Sequence, residues 1–399
     1  RMLRRNKRMQ QIARQVILLF LVFNLAACST ISGWFESDED EATAPAELTD
    51  IEEKVNIEKL WSVNVGNGQG DGFYRIRPVI NGAMIYVAAA DGEVVAIERA
   101  SGDTVWEVEL EASLSGGVGV YEDAVFVGSS EGFVLKLDAS SGEQLWSSPL
   151  RGEILSAPQS NGKVVVAQTY DGRLHGLDFE TGAMLWTYDS NVPVLTVRGT
   201  STPIFNNNLV YAAFANGRVL AFDAQSGGLV WEVRVAIPQG RSEIERIVDI
   251  DGSMELAGSE LFAVSYQGFV AAIDVQSGRK LWQQKGSSFS GVAQGFSNIY
   301  VADEDGTVTA YMRNGQGVRW TQGALAYREL SRPTPVGSFV AVGDFEGYVH
   351  ILSQVDGEFV GRVSADDDGV RADMIGDGDV LYVYGNSGEL IAYEITAKD

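Results

Sequence analysis

The sequence predicts an all-β fold, an eight-bladed β-propeller of four-stranded antiparallel blades closed by its own N-terminal strand. Three observations predict it. A pattern headed by Gly and ended by Trp recurs about every 40 residues. The repeated segments are rich in Val, Ile, Phe and Tyr and are broken by Gly every few residues, which suits short strands rather than helices. One strand-like segment at the front, Leu60-Trp61-Ser-Val-Asn-Val65, carries a Trp with no Gly-headed strand before it, and the last repeat lacks that Trp.

The chain starts with a segment of a different kind. Residues 1–27 carry six basic residues and no acid, and they include the apolar run Val16–Ala27. Those twelve residues fall short of the roughly 20 that a helix needs to cross a bilayer. They have the shape of a secretory signal peptide. The run ends in Leu25-Ala26-Ala27-Cys28, which resembles a bacterial lipobox, and Cys28 is the single cysteine of the chain. The resemblance implies acylation at Cys28, and Ser29 rather than Asp after it implies sorting to the outer membrane. The start is expected at Met2 or Met9. Residues 28–50 follow as an acidic linker with seven acids and no base, extended by self-repulsion.

Residues 51–399 hold the repeat. Its heads are Gly92, Gly132, Gly172, Gly217, Gly268, Gly306, Gly347 and Gly388, spaced 40, 40, 45, 51, 38, 41 and 41 residues apart. That spacing fits one propeller blade per repeat. Closing the last blade with the Trp61 strand completes all eight and removes the exposed seam. Two residues after each Gly stands Val or Leu; four after it the residue is small, except at Lys136 and Ile351. Same-face residues alternate in a strand, so the small column lets blades approach. An Asp before each Ser/Thr-Gly suits a tight turn. The repeat Trp residues read as blade packing, and Gly361 stands where one of them is lost.

Beyond residue 27 the chain has 54 acids against 24 bases, a net of −30. Such a surface repels nucleic-acid phosphates, so no nucleic-acid partner is expected. Catalytic sets are absent from the pattern. His175 and His350 occupy repeat columns and read as structural, no Cys or His cluster has zinc spacing, and neither Asp249-Ile-Asp251-Gly252 nor Asp366-Asp-Asp-Gly369 has EF-hand spacing. No metal, no cofactor and no enzymatic activity are therefore expected. Gly66–Gly72 lacks the Lys-Ser/Thr of a phosphate loop and reads as a flexible loop.

Loop length points to binding instead. From repeat Trp to the next repeat Gly is 24 to 27 residues in four blades, but 31 after Trp186 and 37 after Trp231. Both long loops leave from the same strand position, so they share a face, where repeat proteins place binding. The first holds Leu195, Val197 and Arg198; the second holds Asp249 and Asp251. Apolar residues beside an Arg and paired acids suit an interface anchor with charged guides. An internal Arg–Asp salt bridge pinning the loops is the alternative.

The Ala-x-Asp-x-x-Thr/Ser-Gly-x-x-x-Trp repeat resembles the PQQ-type propeller repeat. With the lipobox and the two loops, residues 55–396 resemble the BamB family of outer-membrane lipoproteins. The resemblance implies a non-enzymatic scaffold of the β-barrel assembly (BAM) complex, anchored in the Gram-negative outer membrane and facing the periplasm. It implies contact with a POTRA domain of BamA through Leu195, Val197, Arg198, Asp249 and Asp251, and work on unfolded outer membrane proteins. Val197 stands where that family has Leu. The quinone-dependent dehydrogenases share the repeat and are the main alternative; a generic envelope protein-binding propeller is another.

Overall fold

Each repeat builds one sheet, because its turns are short and its strands alternate core-facing and outward residues. The computed structural model describes residues 43–398, apart from Val192, Val194, Val197 and Arg198. The chain divides between Ala46 and Glu47, and the second unit is the propeller. It begins slightly earlier than expected from composition: Leu48 packs on the core between the sixth and seventh blades, and Thr49 accepts a hydrogen bond from Arg362 Nη1 at 2.9 Å. The expected signal segment and Cys28 lie outside the described residues.

The described residues form eight four-stranded antiparallel sheets. The first blade runs Val79–Asn81, Met84–Ala88, Glu93–Glu98 and Thr104–Glu109, from the axis outwards. The next six repeat that order, and the eighth takes Ile375–Asp377, Val380–Tyr384 and Glu389–Ala397. Its outer strand is Val55–Asn64, from the other end of the chain, paired from Val55↔Ala397 to Asn64↔Glu389 with one irregularity near Trp61. The ring is closed as the orphan Trp61 segment predicts.

The repeat columns acquire a sharper meaning here. The residue two after each Gly, Val94 through Leu390, is fully buried in all eight blades. The small residue two further on is the direct cross-strand partner of its own blade's Trp, as in Ala96↔Trp106, Ala221↔Trp231 and Ala392↔Trp61. It is small because the ring lies across it: a Cβ added at Gly176 would stand 2.2 Å from the Trp186 ring. The seventh blade inverts the pair, with Ile351 opposite Gly361. Lys136, opposite Trp146, turns its Nζ over the Phe179 ring and donates to the Phe179 carbonyl at 2.9 Å.

Each Trp also fastens its blade to the next. The indole N–H of Trp61 donates to Arg99 O, that of Trp106 to Ala139 O, and that of Trp186 to Ala224 O at 2.8 Å; Trp146, Trp231, Trp282 and Trp320 repeat the link. The same ring covers the Ser/Thr-Gly turn of that next blade. Gly227 has φ +70° and lies against Trp186, so a Cβ there would meet the ring at 2.5 Å. Left-handed backbone and the covering indole both demand glycine at this place. The turn Asp residues behave as expected, Asp223 Oδ1 accepting from Ser226 Oγ at 2.7 Å and from Ser226 N at 2.9 Å; the hydroxyl bonds first, and the backbone bonds with them, hold Asp138, Asp178, Asp223 and Asp274 below the usual carboxylate range.

At the eighth joint no Trp is present. Gly361 faces the closing strand instead, where Val55 and Ile57 occupy the space an indole would need.

Candidate docking face and axial funnel

The connections from one blade's outer strand to the next blade's inner strand all lie on one face. The two long ones join the third blade to the fourth (190–203) and the fourth to the fifth (235–254). They meet: Gly199 lies against Asp251, with a Cβ at Gly199 placed 2.9 Å from that of Asp251. The first loop is held from below by Asn216, whose Nδ2 donates to Ser190 Oγ and Asn191 O, and from the side by Tyr170 OH with Thr196 Oγ1 at 3.1 Å. The second contains a 3₁₀ turn, Ile244–Arg246, where Glu245 Oε2 accepts from the backbone N–H groups of Arg241 and Ser242.

This scaffold raises apolar side chains into solvent. Leu195 is 41% exposed, Ile237 55% and Ile244 64%. The acids predicted as charged guides lie deeper. Asp249 is 1% exposed, its carbonyl accepting from Tyr266 N at 2.8 Å. Asp251 faces a narrow cavity of about 60 Å³, and its Oδ2 is buried without a hydrogen-bond partner. Burial first, and the neighbouring Asp249 charge second, hold the Asp251 carboxyl well above the usual range, while Arg75 pulls it down. Val197 and Arg198 lie outside the described residues.

That cavity opens on the propeller axis, which sequence reasoning missed. In six blades the second residue before the innermost strand lines the axial cavities: Arg77, Ala157, Thr202, Ser253, Arg332 and Asp373. Asp373 is the hub. Its Oδ2 accepts from Ser253 Oγ at 2.6 Å and lies 3.4 Å from Arg77 Nη1 and 3.8 Å from Arg332 Nη1. Arg332 also pairs with Glu255 and donates to Val292 O. A signal was present: four members of this column, Arg77, Ala157, Thr202 and Arg332, precede Pro.

Gly66–Gly72 is ordered rather than the flexible loop predicted. Gln69 is buried and clamps Ile76 twice, Nε2 donating to its carbonyl at 2.7 Å and Oε1 accepting from its N–H at 2.9 Å. Gly66 N and Asn67 N donate to Glu93 and Asp91 of the first blade, while Gln69 N donates to Asn386 O of the eighth. The glycines are needed where backbones cross: a Cβ at Gly68 would lie 2.3 Å from Asn386 O. From Trp61 to Gly92 is 31 residues, as long as the first docking loop.

Comparison with known proteins now fits this geometry. The family model described as outer membrane protein assembly factor BamB matches residues 57–111 and 90–322. The chain belongs to the BamB family. BamB of Pseudomonas aeruginosa is 53% identical over 382 residues, covering 96% of this chain and 99% of that protein. The crystal structure of BamB from Moraxella catarrhalis superposes with a TM-score of 0.77 at 27% identity, covering 85% of this chain and 100% of that one. A europium-containing methanol dehydrogenase has a TM-score of 0.69 at 14% identity, covering 87% and 95%; that likeness shows the fold alone. Among the described residues, no group of three His, Cys, Asp or Glu is placed to hold a metal ion, and on the axis Arg77 and Arg332 are paired with Asp373 and Glu255.

Proposed function

We propose that this chain is a non-enzymatic scaffold of outer-membrane β-barrel assembly that docks on a POTRA domain of BamA. Residues 1–27 act as its signal peptide, Cys28 carries the lipid anchor in the outer membrane, and residues 28–50 tether the propeller in the periplasm. The observation that carries the reading is the meeting of two long loops at Gly199 and Asp251, which raises Leu195, Ile237 and Ile244 as a rigid apolar patch. Apolar anchors on a rigid base make effective interface centres. Leu195, Val197 and Arg198 make the contact, and the buried Asp249 and Asp251 set the loops from behind.

The test is affinity purification from detergent-solubilised envelope. Leu195→Asp and Arg198→Glu should each lose BamA while keeping the wild-type melting temperature. Retention of BamA by both variants would overturn the docking site. Loss of BamA together with a collapsed melt for Arg198→Glu would favour an internal salt bridge.

Unfolded outer membrane proteins are the proposed substrates, received by strand addition at the blade edges. The outer strands support this: Leu60, Val105, Leu145, Leu185, Val230 and Leu281, each just before a repeat Trp, form an exposed apolar collar. Site-specific crosslinkers at these positions should capture substrate. Capture confined to the loops would refute strand addition.

A further inference from the structure

The ordered glycine loop delivers Phe73 and Arg75 to the axial face, on the side where the fifth to eighth blades and the first connect. Phe73 is 72% exposed, unusual for an aromatic side chain on an ordered loop. The Arg371 guanidinium lies over its ring, 5.1 Å from the centroid, and Nη1 of Arg371 donates to Gly72 O at 3.0 Å. A second pair has the same construction. Arg75 sits over the Phe289 ring at 5.1 Å, and its Nη1 donates to Phe289 O at 2.9 Å. Between the pairs, floored by Leu330, is a cavity of about 280 Å³.

The charges of this cavity are incomplete. Arg77 and Arg332, nearby on the axis, are ion-paired. Among the described residues neither Arg75 nor Arg371 has a carboxylate within ion-pairing distance; Asp373, already paired with Arg77, and Asp251 attract Arg75 from farther off, and Arg371 repels it. Each guanidinium is oriented by a carbonyl and a ring and keeps N–H donors unused. Glu329, at the exposed rim, contributes one opposing charge. Among the residues lining the cavity, two cations and one anion leave a single positive charge, which matches a monoanion better than a phosphate. Two planar guanidinium groups suit a carboxylate. The rings and Leu330 ask for an apolar group beside it. The volume lies just below the roughly 300–1,000 Å³ of small-molecule pockets, so the group is about the size of one amino acid.

We propose that this cavity binds a monocarboxylate bearing an aromatic or branched apolar group, with Arg75 and Arg371 on the carboxylate and Phe73, Phe289 and Leu330 around the apolar part. The ligand is either a free small acid or the C-terminal residue of a polypeptide. The site is separate from Leu195 and the docking loops, so its failure would leave the docking proposal standing.

The test is calorimetric titration of the full chain in detergent with N-acetylphenylalanine at neutral pH, with a micelle-only titration subtracted. N-acetylphenylalaninamide serves as the uncharged analogue and acetate as the analogue without a ring. Saturable binding of the acid, at least about tenfold tighter than either analogue, is expected. Phe73→Ala, at an exposed position where folding is unaffected, and Arg371→Gln should each weaken it by about tenfold. An N-blocked hexapeptide ending in free Phe that binds as tightly identifies a chain terminus as the ligand; binding lost with length identifies a free acid. Equal binding of acid and amide, no saturable binding of the acid, or wild-type affinity in both variants would overturn the site.

Discussion

Arg362 donates its Nε–H to Nδ1 of His350 across 3.0 Å, and that bond decides where the imidazole carries its proton. With Nδ1 accepting, Nε2 is the protonated nitrogen and donates to Asp344 Oδ2 at 2.9 Å. Asp344 in turn takes Nε–H of the buried Arg328 at 2.7 Å. The arrangement looks like a catalytic His–Asp pair, yet both side chains are fully buried. It is a structural bracket of the seventh blade, and through Arg362 and Thr49 it also holds the segment that leads into the Val55–Asn64 strand.

This bracket predicts acid sensitivity. Burial lowers His350 below the ordinary histidine range, with Asp344 offsetting only part, and burial lowers His175 as well. The unfolded chain takes up these protons near pH 6.5 while the folded chain resists them. Stability is therefore level above that pH and falls below it, by at most about 1.4 kcal/mol per pH unit for each histidine. Because the raised Asp251 carboxyl acts in the opposite direction over this range, the decline is read as a difference: between pH 7.5 and 5 the melting temperature of wild type should fall more steeply than that of His350→Gln. The depressed Asp344 acts in a separate window: its contribution is present above the usual carboxylate range and is lost on further acidification.

Glycine under tryptophan should cost more than glycine in the open. Gly227 and Gly258 have nearly the same φ, +70° and +67°, but only Gly227 lies beneath a ring. Gly258→Ala should cost about 1 kcal/mol, the strain of the left-handed backbone. Gly227→Ala should cost about 2–4 kcal/mol, because overpacking against Trp186 is added. Denaturant melts of the two variants make the comparison.

Restoring the missing Trp should harm the fold. Gly361→Trp would drive an indole into Val55 and Ile57 of the closing strand. A loss of about 1–3 kcal/mol is expected. Adding Val55→Ala should recover part of it, a coupling that a double-mutant cycle would measure.

Asp251→Asn should raise stability near neutral pH. A carboxyl held above its usual range is a penalty that is present above the unfolded value and vanishes as pH falls below it. The variant should therefore melt about 1–3 °C higher than wild type at pH 7.5 and equally at pH 3. An unchanged melt at both values would contradict the burial of Asp251 Oδ2.

Much of this was legible in the sequence because a repeat displays its own alignment. Blade number, the closing Trp61 strand and the packing role of Trp follow from columns that recur every 40 residues; the bond of each indole to the next blade does not. The shared face of the two long loops followed from their leaving the same strand position of the repeat. Three features escaped for physical reasons. The axial cluster of Arg77, Arg332 and Asp373 keeps no one residue type from blade to blade, so no repeated letter marks it. The small column looked like room for a neighbouring blade, whereas the room is taken by the cross-strand Trp, a contact that depends on register. Gly66–Gly72 looked mobile because glycine permits freedom, but here it permits close backbone crossing, and Gln69 fixes the loop from inside.

The final seam also sets a schedule. Lys59 and Glu389, joined at 2.8 Å across the last blade, are 330 residues apart in the chain. As the polypeptide is made, the Val55–Asn64 strand has no partner until the Glu389–Ala397 strand follows it. Closing so long a loop is entropically slow relative to folding within blades. Seven blades can form as an open arc before the eighth completes the circle, so a chain cut short anywhere before Glu389 keeps its gap and betrays itself as unfinished.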